Sequence, residues 1–411
     1  MNRPERIQRP MGAIIVIALF ALAMPLPSSH AHQPPADVVA PPARKGTVAP
    51  IPTLEEADRW AERFVAAIAD GDINAAEREI DWDTLFDTGT KGVDAPEPFR
   101  KRFIELAKQE NARSGLIVGV ATVVGEGAKL SLLRSRHQDG QCRVLLRLIS
   151  DGGINYHDVL LAKRGNDVRA VDYYTFLGGE HLTASFRRNF VIFASLQPRP
   201  FLERLLGLDR DIARNVNLVQ AFLAAVQKDD HVAILDAYQG LPRSLQHEKS
   251  IMVLRLSAAA QLDEQTYKQA IDDLQATFPG DPCLQLPMID MHALRQEYDA
   301  CLAAIDRVDA EVGGDPYLDE IRGRMYFEKG DPARAASLIE AAIDAVPDRL
   351  ELYWSRLTVA LRQRRHDETA AWLDTIAERF PIVFNDLDEL PDYAEFVKSP
   401  EYREWKARQG L

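Results

Sequence analysis

Cysteine is scarce: Cys142, Cys283 and Cys301 are the three thiols of a 411-residue chain. There is no CxxC pair and no Cys/His cluster at zinc-ligand spacing, which argues against a disulfide scaffold and a structural zinc site. Three is also an odd count, so in an exported chain at least one thiol is free or pairs between chains. Cys283 and Cys301 fall on neighbouring predicted helices but not at the same level, so no bridge is expected between them. The signatures of common chemistries are missing as well: no GxGxxG, no GxxxxGK[ST], no HExxH, no GxSxG and no EF-hand loop. His247, Glu248 and the scattered acids show no metal-ligand spacing. Neither a metal nor a cofactor is expected.

Positive charge is in deficit, with 49 Lys and Arg against 62 Asp and Glu, a net charge of −13. Phosphate-backbone binding needs clustered basic residues, so nucleic acid is not an expected partner. The one basic knot, Arg362, Arg364 and Arg365, is placed to close a helix, where cations offset the carbonyl end of the dipole. Hydrophobic residues reach 46%, so large cores are possible, and the length allows two or three domains.

Long apolar runs are confined to the start. Arg3, Arg6 and Arg9 precede the run Met11 to Leu26, and small residues Ser29 and Ala31 follow. This is the layout of a secretory signal peptide, residues 1–31, cleaved after Ala31. The run carries Pro25 and is shorter than the ~20 apolar residues that span a bilayer, and no cysteine follows it to carry a bacterial lipid anchor. Cleavage would remove three Arg and one Glu, taking the net charge from −13 to −15. A periplasmic or secreted protein, with no membrane insertion after cleavage, is the expectation. Residues 32–52, "HQPPADVVAPPARKGTVAPIP", carry six prolines and read as an extended, disordered linker.

Order is expected from Thr53. "TLEE" offers a capping box of Thr53 and Glu56, and Trp60, Phe64, Val65 and Ile68 recur at helical spacing. "DGD" at Asp70–Asp72 stops this helix and caps the next, predicted from Ile73 to about Leu85. A third helix follows Pro98, with Phe99, Phe103, Ile104 and Leu106 on its inner side. Beyond Gly115 five strand-length runs are predicted: "LIVGVATVVGEG", "AKLSLLRSR", "CRVLLRLIS", "NYHDVLLAKR" and "DVRAVDYYTF". Hairpin chemistry separates them at Gly127, Asp139–Gly140, Asp151–Gly153 and Gly165–Asn166. Helices followed by an antiparallel meander imply an α+β domain, residues 53–180. In this reading the glycines of "GVATVVGEG" lie in a strand with no helix after it, so they are no phosphate loop.

The stretches "RFVAAIADGDINAAEREID" and "VRAVDYYTF" resemble the nuclear transport factor 2-like (cystatin-like) α+β cone. Some members of that family are small-molecule enzymes, and the resemblance implies a pocket to examine. Tyr156, Asp158, Asp172 and Tyr174 are the strand residues that would face it. A carboxylate and a phenol in one cavity can abstract a proton and stabilise an enolate. The other reading makes all four structural hydrogen-bonding or solvent-facing groups. Residues 181–205 are expected to be a connecting helix, running from Glu180 to about Leu205.

From there strand signals vanish and a period appears. Steps of 34 residues link Ile271, Ile305, Ile339 and Leu373, and likewise Leu284, Leu318 and Leu352. Pro282 and Pro316, Asp281 and Asp315, Met291 and Met325, and Pro347 and Pro381 also match, and Gly313 falls midway between Pro279 and Pro347. The unit around Gly323, Tyr326, Gly330, Asp331–Pro332, Ala335, Ile339, Ala342 and Pro347 resembles the tetratricopeptide repeat (TPR). Neighbouring units depart from it, with Ile289 in place of Gly323, His292 of Tyr326 and Thr369 of Ala335. The resemblance implies an all-α TPR-like solenoid over residues 206–383, with four to five helix pairs, closed by C-terminal capping helices in residues 384–411 where Trp405 covers the last apolar edge.

Such arrays hold a peptide or a partner's helix on a concave surface formed by their first helices. Tyr317, Glu320, Arg324 and Trp354 are the expected groove-lining residues. Glu320 and Arg324 also fit an ordinary i,i+4 pair, and Tyr317 and Trp354 ordinary packing. Two functions therefore stand. One is a non-enzymatic scaffold of the bacterial envelope or secreted space, binding an unidentified protein or peptide partner. The other is an enzyme or small-ligand-binding protein acting through the cone pocket, its repeats serving to localise it or to form a homodimer.

Overall fold

The computed structural model describes residues 50–93, 95–150, 153–195, 215–279, 281, 284–384 and 387–410. The expected signal peptide, nearly all of the proline-rich linker, Cys283 and the end of the expected connecting helix lie outside the described residues. The chain divides into two compact units between Pro287 and Met288, inside the region where the repeats are expected.

The first unit opens with helix α1 (Leu54–Ala69). Its capping box is formed: the Glu56 amide donates to Thr53 Oγ1 at 3.2 Å and the Thr53 amide to Glu56 Oε2 at 2.8 Å. Ala57, Trp60, Ala61, Phe64, Ala67 and Ile68 make one buried stripe, the three- and four-residue spacing of a helix that packs on one side. The Trp60 and Phe64 rings stack at 5.1 Å.

Two expectations fail in the next stretch, for local reasons. The helix from Ile73 ends at Arg78 (α2, Ile73–Arg78), and a separate helix runs Trp82–Thr90 (α3). Asp81 separates them, because its carboxylate accepts from the Thr84 amide at 3.0 Å and caps α3. The residues just before it turn to the sheet, where the Ala170 amide donates to Glu79 O at 2.9 Å and the Asp81 amide to Ala170 O at 2.8 Å. After α4 (Glu97–Ser114), "LIVGVATVVG" forms a helix, α5 (Leu116–Gly125), and not a strand. An unbroken apolar run carries no period to separate a buried helix from a buried strand. Here Leu116, Ile117, Val120 and Ala121 are buried at helical spacing, and the Thr122 hydroxyl folds back to Val118 O at 2.8 Å.

Four strands follow as an antiparallel meander, β1 (Lys129–Gln138), β2 (Gln141–Ser150), β3 (Gly153–Arg164) and β4 (Asp167–Thr175), with the short β5 (Glu180–His181) last, in the order β1-β2-β3-β4-β5. The β1–β2 turn holds Asp139 and Gly140 at positive φ, 51° and 71°. Helix α6 (Leu182–Ser195) starts two residues later than expected, because Glu180 and His181 pair with Thr175 and Tyr174. One sheet face carries Cys142, Val144, Leu146, Leu148, Val159, Leu161 and Tyr173 into a core shared with α1, α3, α4 and α5. This is an α+β layer packing. Helices α7 (Val216–Gln227), α8 (His231–Gly240), α9 (Arg243–Gln246), α10 (Lys249–Leu262) and α11 (Glu264–Thr277) complete the unit.

The second unit is helical: α12 (Gln285–Leu294), whose first turn belongs to the other unit, then α13 (Tyr298–Val312), α14 (Pro316–Glu328), α15 (Pro332–Ala345), α16 (Leu350–Arg362), α17 (His366–Arg379) and α18 (Pro400–Gln409). From α13 to α18, consecutive helices pack on each other. Helices α11, α13, α15 and α17 begin at residues 264, 298, 332 and 366, so the 34-residue step is met to the residue. The turns repeat in register too, with left-handed residues at Gln296, Gly330 and Arg364. At the α14–α15 crossing a Cβ on Gly323 would lie 2.7 Å from Ile339 Cγ1 and 3.1 Å from Ala335 O, so only glycine allows this approach. Trp405 on α18 is fully buried against Phe384 and Tyr402.

Candidate functional site

Three of the four residues expected to line a groove come together at the start of α14. Asp315 caps the helix, accepting from the Tyr317 amide at 3.0 Å, and Pro316 takes the first position, where its missing N–H is harmless. Tyr317, Glu320 and Arg324 then succeed one another about a turn apart on one side. Glu320 is buried, 5% exposed; its Oε1 is ion-paired with Arg324, 3.2 Å from Nε, and accepts from Ser355 Oγ of α16 at 2.6 Å. The Arg324 side chain is half-exposed, so its outer face is free to meet another molecule. The guanidinium of Arg349 lies 4.9 Å over the Tyr317 ring.

The electrostatics follow from burial and pairing. Burial, with the Glu320 charge adding to it, pushes the Tyr317 phenol up to about 12. Glu320 raises Arg324 above its ordinary value, so the guanidinium is permanently charged. Burial, with Asp290 beside it, pushes the Cys301 thiol up to about 12, and its Sγ donates to Ile289 O at 3.3 Å. A thiol so held is no nucleophile. The patch is built to present a braced cation and a fixed ring, and nothing in it is activated for bond-making.

Trp354 is placed elsewhere. It occupies the position of Glu320 one 34-residue step later, yet its ring packs edge-on against Phe384 at 5.8 Å. Its neighbour Ser355 is the residue that reaches Glu320. Arg349 and Ser355 were missed because neither matches the repeat pattern. The sequence signal for Ser355 was its place on the first helix of the following pair.

The four residues expected to line a cone pocket are placed differently. Successive strand residues point to opposite faces, and Tyr156, Asp158 and Tyr174 lie on the sheet face opposite the core shared with α1. Asp158 is held by Arg136 Nη2 at 3.0 Å and Arg143 Nε at 3.0 Å. A carboxylate clamped by two guanidiniums is a structural ion pair and is not available as a base. Tyr156 is fully buried, edge-on to Phe176 at 5.6 Å, and Tyr174 packs on Phe176 and His181. Asp172 accepts from the amides of Tyr173 (2.8 Å) and Thr183 (3.2 Å) and from the Thr183 hydroxyl (2.8 Å), joining β4 to α6.

One residue along each strand, the core face carries a polar network that sequence reasoning passed over. His157 Nδ1 lies 2.7 Å from Tyr173 Oη, and Asn155 Nδ2 lies 3.2 Å from His157 Nε2. Asn155 Oδ1 accepts from the Leu177 amide at 3.1 Å, which fixes the amide orientation. Nδ2 must then donate to Nε2, so the ring proton sits on Nδ1 and is given to Tyr173 Oη. Burial lowers His157 to about 3 and raises the Tyr173 phenol. Both stay neutral at ordinary pH, the state in which a buried network is tolerated without a counter-charge.

The break between α2 and α3 leaves a cleft of about 550 Å³, lined by Glu77, Ile80, Asp81, Trp82 and Asp83, by Lys108 and Asn111 of α4, and by Arg164 and Arg169 at the β3–β4 turn. Burial pushes Glu77 up to about 7. The cleft is assembled from four segments, and no local motif announces it. Among the described residues no group of three or more His, Cys, Asp or Glu side chains is arranged to hold a metal ion. Nor is any described helix long and apolar enough to cross a membrane. No protein-family model matches the chain, and no curated protein matches it.

Proposed function

We propose that this protein is a non-enzymatic interaction scaffold of the bacterial envelope or secreted space. Its C-terminal helix pairs act as a TPR-like solenoid that holds a peptide or a partner's helix. The carrying observation is the residue-level repeat of helix starts at 264, 298, 332 and 366, with left-handed turn residues in step at 296, 330 and 364. Antiparallel pairs repeated in this way present their first helices side by side, and Tyr317, Glu320 and Arg324 lie on such a helix. Trp354 takes the packing role in this reading. The leader sequence supports export, and the α+β domain, which resembles the nuclear transport factor 2-like cone, supplies a second surface. The double arginine clamp on Asp158 weighs against an enzyme built on Tyr156, Asp158, Asp172 and Tyr174.

The test is affinity capture by the full chain from an envelope fraction, beside a Glu320→Gln/Arg324→Gln variant. The double change removes both charges and leaves polar groups at the buried position, which avoids stranding one partner of the pair. A partner bound by the wild type and lost from a variant with an unaltered thermal melt supports the scaffold. An unchanged set of captured proteins overturns the groove.

A further inference from the structure

The cleft between α2, α3, α4 and the β3–β4 turn plays no part in the scaffold, and its charge arrangement is uneven. Its cations are already engaged. Lys108 Nζ lies 2.7 Å from Asp83 Oδ1, Arg164 is hydrogen-bonded to Asp81 and Thr84, and Arg169 is paired with Asp167 at 3.1 Å and donates to Arg78 O. Asp81 is held below its ordinary value: burial raises it, and the hydrogen bonds from Thr84 and Arg164 outweigh that. Glu77 stands apart. The structure gives it one hydrogen bond, from the neutral amide of Asn111 at 3.3 Å, and no opposite charge.

Three features turn this solitary carboxylate into a site. Asn111 is 7% exposed and aims its amide at Glu77 inside the cleft. The Trp82 indole N–H is buried beside the same carboxylate without completing a hydrogen bond to it. The Trp82 ring is fixed from behind by Phe86 at 6.0 Å and Phe186 at 6.1 Å, and Ile80 adds an apolar wall. A part-buried carboxylate without a counter-ion is unfavourable. A ligand cation would supply the missing charge, and an aromatic wall beside it adds cation–π attraction.

We infer that this cleft binds a small organic amine, its primary ammonium group on the Glu77 carboxylate and its carbon chain along Trp82 and Ile80. Binding needs Glu77 ionised and the amine protonated. The charged groups facing Glu77 are Asp81 and Asp83 from α3 and its cap, Lys108 from α4, Arg164 from β3 and Arg169 from β4. Of these, Lys108 is paired with Asp83 and Arg164 with Asp81, and burial raises Glu77 to about 7. Affinity therefore rises from about pH 6 to about pH 8, by roughly tenfold for a carboxyl half-ionised near 7.

The test is calorimetry on the full chain with 1,4-diaminobutane as probe and 1,4-butanediol as its uncharged counterpart. Saturable binding of the diamine at about pH 8, absent for the diol, is expected. Glu77→Gln should weaken it at least tenfold, or about 1.4 kcal/mol, and Glu62→Gln, which removes an exposed carboxylate of α1 outside the cleft, should leave it unchanged. Glu77→Gln keeps the side-chain shape, and an unaltered thermal melt shows that the variant folds. No binding of the diamine, equal binding by Glu77→Gln, equal loss in Glu62→Gln, or an affinity independent of pH would each overturn the site.

Discussion

The two units treat buried charge in opposite ways. In the helical unit two buried ionised groups have charged counterparts. Glu320 has Arg324 and Ser355, and Arg356, 4% exposed, is shared between Glu340 at 2.6 Å and Glu368 at 2.9 Å beneath the Trp372 ring. In the α+β unit Asp158 is over-provided with two guanidiniums, while Glu77 has none. A unit whose charges are internally neutralised offers a partner a fixed shape. A unit that leaves one carboxylate unmatched offers a ligand a missing charge. The proposed scaffold draws on the first distribution and the proposed amine site on the second.

The comparison can be broken or sharpened by experiment. The largest effect is expected at the two buried tryptophans that anchor the units. Trp60→Ala should cost about 4 kcal/mol and Trp405→Ala about 3 kcal/mol in denaturant unfolding. Both leave a large cavity, but only Trp60 also loses a hydrogen bond, from its Nε1 to Glu79 O at 3.0 Å, while the Trp405 Nε1 has no partner. Equal losses would show that the indole bond adds nothing. Next comes Gly323→Ala. The new methyl collides with Ile339, whose branched side chain has little freedom to move in a helix, and the gain in helix propensity offsets part of the clash. A net loss of about 1–2 kcal/mol is expected, and a stabilised variant would mean that α14 and α15 need not approach so closely.

A further effect is a pH dependence. Glu77 is raised from 4.5 to about 7 in the folded chain, so between those values the folded state holds a proton that the unfolded state releases. Its contribution to stability is present below about 4.5 and is lost as pH rises through 7. Thermal melts of wild type and Glu77→Gln should diverge over that window, with the wild type losing ground as pH rises. Parallel curves would remove the unmatched carboxylate from the comparison.

Legibility differed between the units for a physical reason. In the helical unit the pattern recurs, so an irregular residue such as Ile289 or Thr369 is outvoted by its equivalents, and the helix pairs could be placed from the register of leucines, isoleucines and prolines. The α+β region has no second copy of anything. "LIVGVATVVG" satisfies strand and helix alike, and only its burial within the core of α1 and the sheet decides for the helix. Asp81 looks like one more helical residue until Ile80, just before it, pairs with Ala170. The four candidate pocket residues were chosen by chemistry, but strand parity put all four on the face away from the core, with Asn155, His157 and Tyr173 one step along. Glu77 acquires its meaning from Asn111 and Trp82, which the chain brings to it only when folded.

The two described cysteines carry a consequence for oxidation and labelling. Cys142 and Cys301 are both fully buried and free, and burial pushes their thiols up to about 11 and about 12. Neither forms a thiolate while its surroundings are closed, so each reacts with an oxidant or alkylating reagent only in the moments when its own core has opened. One sits in each unit. The chain thus contains a pair of chemical clocks: folding must outrun oxidation at both, and the labelling rate at each reads how often that part of the molecule comes apart.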